Sequence, residues 1–138
     1  MENGCVFCKI LREELPCHRI VETLSSVAFL DIMPISKGHT LVVPKKHVET
    51  LEDLNVMELN DLFQLVQRIS KACKVGLNAS GTNLLLCNGK DAGQVVPHVH
   101  AHVVPRSPED GLRFHPAQME ISKAELSEVA ERLLQGLS

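Results

Sequence analysis

Between residues 59 and 73, apolar side chains return every three or four positions: Leu59, Leu62, Phe63, Val66, Ile69 and Cys73. The intervening face carries Asp61, Gln64, Arg68 and Lys71. This spacing predicts an amphipathic α-helix. Asn55 stands at its N-cap, Glu58 three residues on completes a capping box, and Gly76 marks its end. A second helix is predicted near the end of the chain. There Ser122 and Glu125 form another capping box, and Leu126, Val129, Leu133 and Leu134 make an apolar stripe. A short first helix is expected over residues 7–15, stopped by Pro16.

Elsewhere the pattern is that of strands. Residues 19–22 and 27–30 flank a polar break at 23–26 and read as a hairpin. Residues 31–38 hold Pro34 and Gly38 and read as a loop; residues 40–43 form a short β-branched strand ended by Pro44. Further strands are predicted over 83–87 and 95–104, joined by a glycine-containing loop at 88–94. The elements add up to an α+β domain, a mostly antiparallel sheet with one long helix across a face. With 138 residues, no internal repeat and no linker, one domain is expected over 1–138, with a C-terminal tail from about residue 107.

Composition narrows the function. Hydrophobic residues make up 44% of the chain, enough for a normal core, yet aromatic residues are only 3%, with no Trp and no Tyr. The core is therefore aliphatic, and single-strand nucleic-acid binding on stacked aromatic platforms is excluded. A net charge of -3 speaks against holding a nucleic-acid polymer by bulk charge, though one phosphate group could still be held by local donors. No apolar run is long enough to span a membrane. Residues 1–10 are mixed rather than basic then apolar, so no secretory signal is expected. Five scattered cysteines then suggest free or metal-bound thiols and a cytoplasmic, reducing location.

The chemistry concentrates in His98-Val99-His100-Ala101-His102-Val103-Val104. On a strand, alternate residues share a face, so the three imidazoles point one way and Val99, Ala101 and Val103 the other. Alternate side chains are about 6.6 Å apart, so the three histidines span about 13 Å. One phosphate can be shared by two neighbours at most, which leaves a terminal histidine for another task. Imidazole is neutral near pH 7, nucleophilic and a common metal ligand. Two chemistries stay open at this point: phosphoryl transfer and a three-histidine metal site.

The segment Gly93-Gln94-Val95-Val96-Pro97-His98-Val99-His100-Ala101-His102-Val103-Val104 resembles the histidine-triad motif. The upstream Asp31-Ile32-Met33-Pro34 and Gly38-His39-Thr40-Leu41-Val42-Val43-Pro44-Lys45-Lys46-His47 resemble the same superfamily. The likeness runs from about Cys5 to Arg106. It implies a five-stranded sheet, a homodimer, and cleavage at the α-phosphorus of nucleoside phosphates. By position it implies that His100 is the nucleophile, forming a transient nucleotidyl-histidine. His102 would hold the phosphate or the leaving-group oxygen, and His39 would back the phosphate. Gln94 would orient the nucleophile or leaving group, Gly93 and Asn88 would contact phosphate, and Asp31 would bond ribose hydroxyls. Val95 stands where several branches carry Ser or Thr, so a hydroxyl relay to the leaving group is missing.

Cys5-Val6-Phe7-Cys8 adds a C-x-x-C pair. A redox pair would be expected beside a βαβ pattern, and none follows. Tetrahedral zinc needs four N or S ligands. His47 and the spare triad member His98 could complete the set, an arrangement that resembles some histidine-triad branches. Closed four-ligand zinc of this kind is structural rather than catalytic; no organic cofactor is implied. The expected function is hydrolysis or transfer on a purine nucleotide or nucleoside-phosphate conjugate, such as a phosphoramidate or dinucleoside polyphosphate. Two other readings stay open: a nucleotide-binding interaction module with vestigial catalysis, and a catalytic metalloprotein using His98, His100 and His102.

Overall fold

The computed structural model describes residues 3–138. The elements run α1 (Val6–Leu11), β1 (Arg19–Glu22), β2 (Ser26–Leu30), β3 (Thr40–Pro44), α2 (Val56–Leu77), β4 (Gly81–Leu86), β5 (Ala101–Arg106) and α3 (Lys123–Leu137). Among the described residues the strands form one five-stranded sheet in the order β1-β2-β3-β5-β4, with every pairing antiparallel.

Strand alternation divides the core between two faces. Ala28, Val42, Ala101 and Val103 pack against Leu62, Leu65, Val66, Ile69 and Cys73 of α2. On the opposite face, Val27, Phe29, Leu41 and Val43 meet Cys5, Phe7, Cys8 and Ile10 of the α1 region. Since Ala101 and Val103 face α2, their neighbours His100 and His102 fall on the α1 face. Burying a fully enclosed leucine such as Leu62 or Leu65 contributes about 1.5–3 kcal/mol.

The capping box of α2 forms in both directions: the Asn55 side chain accepts from the Glu58 N–H, and Glu58 accepts from the Asn55 N–H. The helix runs one residue past Gly76, where Asn78 takes the left-handed conformation that ends it. Leu65 belongs to its buried face, whereas Phe63 points outward. Leu77 closes on Gly38, whose φ of +97° and missing Cβ leave room for it. This fixes the loop that leads into His39.

Three expectations change in the structure. First, α1 ends at Leu11, and Glu13 then takes a positive φ, so the chain turns before Pro16 is reached. Second, the strand expected from residue 95 begins only at Ala101. Pro97 has no N–H, the His98 N–H turns back to the Val96 carbonyl, and the Val99 N–H bonds Val48 beyond the end of β3. Third, β4 covers Gly81–Leu86 rather than residues 83–87; at the end of the chain α3 forms as read, with Leu126, Val129, Leu133 and Leu134 of its stripe exposed.

Candidate active site and metal centre

The divided triad sets up two clusters. His98 is fully buried and turns towards α1. Its Nε2 donates to the Pro44 carbonyl at 2.9 Å. A neutral imidazole with Nε2 protonated has its lone pair on Nδ1. That Nδ1 lies 3.4 Å from Cys5 Sγ, 3.6 Å from Cys8 Sγ and 3.2 Å from His47 Nδ1. Cys8 Sγ is 3.3 Å from His47 Nδ1. Around a tetrahedral zinc with bonds of 2.0–2.3 Å, neighbouring ligand atoms sit about 3.3–3.8 Å apart. The four residues therefore fit such an ion in number, donor chemistry and spacing. Burial first, then the neighbouring histidines, pushes the His98 pKa down to about 4, which keeps the ring neutral as a ligand must be. Burial also raises the Cys5 thiol, and an ion at the site would reverse that preference.

His100 is 7% exposed, and its Nδ1 donates to the His98 carbonyl at 2.8 Å. The same tautomer argument leaves the lone pair on Nε2. Its ring centroid is 4.9 Å from that of His102. His102 is tied to His39 across strands, with His102 Nδ1 and His39 Nε2 3.0 Å apart. The direction of that bond follows from a third contact. The Ile35 N–H donates to His39 Nδ1 at 3.1 Å, so His39 carries its proton on Nε2 and donates it to His102 Nδ1. His102 is thereby left with an Nε2–H to offer. Burial is the first cause lowering the pKa of His39, His100 and His102; His102 reaches about 4, pushed further by His100 and His39 and opposed by Asp31.

Asp31 Oδ2 is 3.7 Å from His39 Nε2, and Asp31, His39 and His102 form a second group with metal-ligand donors close together. It differs from the first in one respect. His39 Nε2, the atom facing the group, already holds the proton. It would have to become an imidazolate to ligate, so this group is a hydrogen-bond relay rather than a metal centre.

The loop residues are placed differently from the histidines. Gln94 uses its amide to clamp the chain: Oε1 accepts from the Gly89 N–H at 2.7 Å, and Nε2 donates to the carbonyls of Glu49 and Val96. Asn88 accepts from the Leu51 N–H and donates to Glu52. Gly93 takes a left-handed φ of +94° and closes a turn onto Lys90. Gly93 and Gln94 line a cavity of about 520 Å³, with Glu49, Lys90 and the exposed Val95 also on its lining. Sequence reading missed the contribution of Phe7, whose ring packs edge-on against both His98 and His100. The signal available was an aromatic residue between the two cysteines. The backbone partners at Pro44 and Ile35 had no signal in the sequence.

Comparison with known proteins agrees with this architecture. The HIT domain model matches residues 12–109. The adenosine 5'-monophosphoramidase hnt1 of Schizosaccharomyces pombe is 38% identical over 131 residues, covering 94% of this chain and 96% of that protein. Adenylylsulfatase HINT3 of Arabidopsis thaliana is 36% identical over 140 residues, covering 97% of this chain and 71% of that protein. The crystal structure of a zinc-bound histidine triad family protein from Mycobacterium smegmatis superposes with a TM-score of 0.76 at 37% identity, covering 98% of each chain. With its triad, its five-stranded sheet and these relatives, the chain belongs to the HIT domain family.

Proposed function

We propose that this protein is a nucleotide hydrolase acting at the α-phosphorus of nucleoside-phosphate conjugates, nucleoside phosphoramidates being the leading class. The observation that carries the reading is the pair of histidine nitrogens: an Nε2 lone pair on His100 beside an Nε2–H on His102. The names of the phosphoramidase and adenylylsulfatase relatives support the substrate class.

In this mechanism His100 Nε2 attacks phosphorus and forms an N–P bond. The bond from phosphorus to the leaving group breaks, and the His102 Nε2–H is positioned to hydrogen-bond the phosphoryl or leaving-group oxygen. For a phosphoramidate, the amine leaves with a proton from the relay or solvent. Water then attacks the nucleotidyl-histidine and gives a proton back to the relay or solvent, the N–P bond breaks with its electron pair returning to His100 Nε2, and the nucleotide leaves as a phosphate monoester. Asp31 accepts from ribose hydroxyls, while the loop of Asn88, Gly93 and Gln94 holds the phosphate wall. Cys5, Cys8, His47 and His98 would hold a structural zinc, whose bonds to ligands from both segments would tie α1 to the triad segment. The five free thiols support a reducing, cytoplasmic setting for the same activity.

A homodimer is part of the proposal. The edge strand β4 exposes Leu84 beside Phe63 of α2, and the two help line a cavity of about 350 Å³ with Lys71 and Ser70. An open edge next to an apolar helix face, together with the uncovered stripe of α3, suits a second copy. Light scattering at micromolar concentration should give twice 15.2 kDa; a stable monomer would remove the dimer.

The nucleophile is tested with rapid-quench trapping of a labelled nucleotide substrate and peptide mapping. Label should appear on His100, and His100→Ala should lose it along with several orders of magnitude in rate. His102→Ala should lose about a hundred- to a thousand-fold. Full activity in folded His100→Ala would sink the mechanism.

Acid should affect stability before it affects the relay. The His102 pKa is lowered to about 4 in the folded enzyme, against about 6.5 when unfolded. Below pH 6.5 the unfolded chain takes up a proton that the folded chain refuses, so stability falls between about pH 6.5 and 4. His102 stays neutral through most of that window, beside His39, His100 and Asp31. Thermal midpoints should therefore drop below pH 6.5, and protonation of His102 should add no acid limb to kcat/KM near pH 6.5. An acid limb in kcat/KM at 6.5 would contradict the buried relay.

Purified protein should contain about one zinc per chain. Cys8→Ser should lose the metal and melt at a lower temperature, because metal-binding free energy becomes folding free energy. Elemental analysis finding no zinc in protein prepared without chelator would count against the centre.

A further inference from the structure

The candidate metal centre and the candidate nucleophile are joined by two contacts. The first is through the backbone. His98 presents Nδ1 to the cysteine cluster, while its own carbonyl holds the Nδ1–H of His100 at 2.8 Å. A shift of His98 therefore moves the acceptor that fixes both the tautomer and the ring plane of His100.

The second contact is Phe7. It lies between Cys5 and Cys8 in the first turn of α1 and is 5% exposed. Its ring centroid is 4.9 Å from that of His100 at 74°, and 5.7 Å from that of His98 at 82°. Phe29 of β2 closes the far side at 5.8 Å. Cys5 is also the N-cap of α1, its sulfur accepting from the Cys8 N–H. A six-residue helix does not hold itself in water. The placement of Phe7 thus depends on what holds the two sulfurs. The imidazole of His100 is confined between the His98 carbonyl on one atom and the Phe7 ring on its flank.

We propose that Phe7 is a positioning residue for His100. Through Phe7 and the His98 carbonyl, occupancy of the Cys5, Cys8, His47, His98 centre sets the orientation of the nucleophilic imidazole. The metal is then more than a staple for the N-terminus. A misplacement of about 1 Å at a reacting atom can cost about a hundred-fold in rate, so a modest loosening of α1 matters. Coupling between sites is reciprocal: if the metal biases His100, a ligand settled against His100 biases the metal equally. The proposal rests on reading the triad face as the nucleotide site, but its test reads binding rather than turnover.

The experiment uses the full-length protein with cobalt(II) in place of zinc, because the visible bands of tetrahedral cobalt report its ligand geometry. AMP is the probe. In the wild-type protein AMP should shift the cobalt bands and raise cobalt affinity several-fold, measured by competition with a chromophoric chelator. Phe7→Leu should bind cobalt with unchanged bands in the absence of AMP, bind AMP within about two-fold of wild type when metal-free, and lose most of the AMP-induced band shift and cobalt-affinity gain. Its single-turnover rate with a phosphoramidate should fall about ten-fold, a loss in kcat rather than KM. Phe7→Met, which keeps volume without a ring, should behave as Phe7→Leu does. AMP that binds the wild-type protein without moving either the bands or the cobalt affinity would overturn the coupling. A full AMP-induced shift in both variants would remove Phe7 from it. Failure to trap label on His100 would overturn the nucleophile alone, since the cobalt bands do not depend on turnover.

Discussion

Pro44 ends β3, and its carbonyl is taken by the Nε2–H of a histidine 54 positions further along the chain. That one bond chooses the tautomer of His98, and the choice propagates. With Nε2 protonated, Nδ1 is the only nitrogen with a lone pair, and it is the atom that meets Cys5, Cys8 and His47. Were the proton on Nδ1 instead, a buried N–H would point into two sulfurs and a ring nitrogen, and the cluster could not take a cation. Fixing the ring also fixes the backbone of residue 98, whose carbonyl is the acceptor for His100. The candidate metal centre and the candidate nucleophile thus share a dependence on one main-chain acceptor, in keeping with the rule that the outer partner of a ligating histidine tunes the site.

The same logic separates two clusters that ligand counting treats alike. Both bring histidines together with anionic or thiol donors. In one, the backbone partner is an acceptor, the Pro44 carbonyl, and the inward nitrogen is bare. In the other, the backbone partner is a donor, the Ile35 N–H, and the inward nitrogen carries the proton. A carbonyl behind the ring makes a ligand, whereas an N–H behind the ring makes a hydrogen-bond donor. The outcome is a chain of directed bonds from Ile35 through His39 to His102, which delivers a donor to the open side of the site.

What was legible in the sequence follows from which signals are local. The capping box at Asn55 and Glu58, the β1–β2 hairpin and the long apolar helix depend on residues a few positions apart, and they form as read. The split of the triad shows in the structure, with His98 beside the cysteines and the His100 and His102 ring centroids 4.9 Å apart, but the regular-strand span of about 13 Å does not apply, because β5 begins only at Ala101. Cys5, Cys8, His47 and His98, read as candidate metal ligands, lie with their donor atoms close together. The strand boundary at Ala101 was not legible. It depends on the Val99 N–H finding Val48 instead of continuing a ladder, and no composition reports that. Nor does a polar residue's type say what it will bond. Gln94 was read as an orienting residue and Asn88 as a phosphate contact, and the fold bonds their amides to the backbone of Gly89, Glu49, Val96 and Leu51 and to the Glu52 carboxylate. The stripe of α3 was read correctly as apolar, but periodicity does not say whether a stripe meets its own core or another surface.

The period of two in the triad solves a packing problem as well as a chemical one. Val99, Ala101 and Val103 are each at most 2% exposed, so this segment gives its odd-numbered side chains wholly to the core. On the other face His98 and His100 meet Phe7 of α1 and His102 meets His39, where three imidazoles would be costly if charged. Burial resolves this by keeping them neutral, and the depressed pKa values are the thermodynamic sign of that choice. Neutrality is also what the proposed roles of His98 and His100 would require, a lone pair for a metal and a lone pair for phosphorus, and it lets His102 accept from His39 on Nδ1 while offering its Nε2–H. A fully exposed strand face would let the three rings ionise independently near pH 6.5 and lose their fixed tautomers. The site thus needs α1 over it, and α1, being six residues long, needs the cysteines that begin and end its first turn.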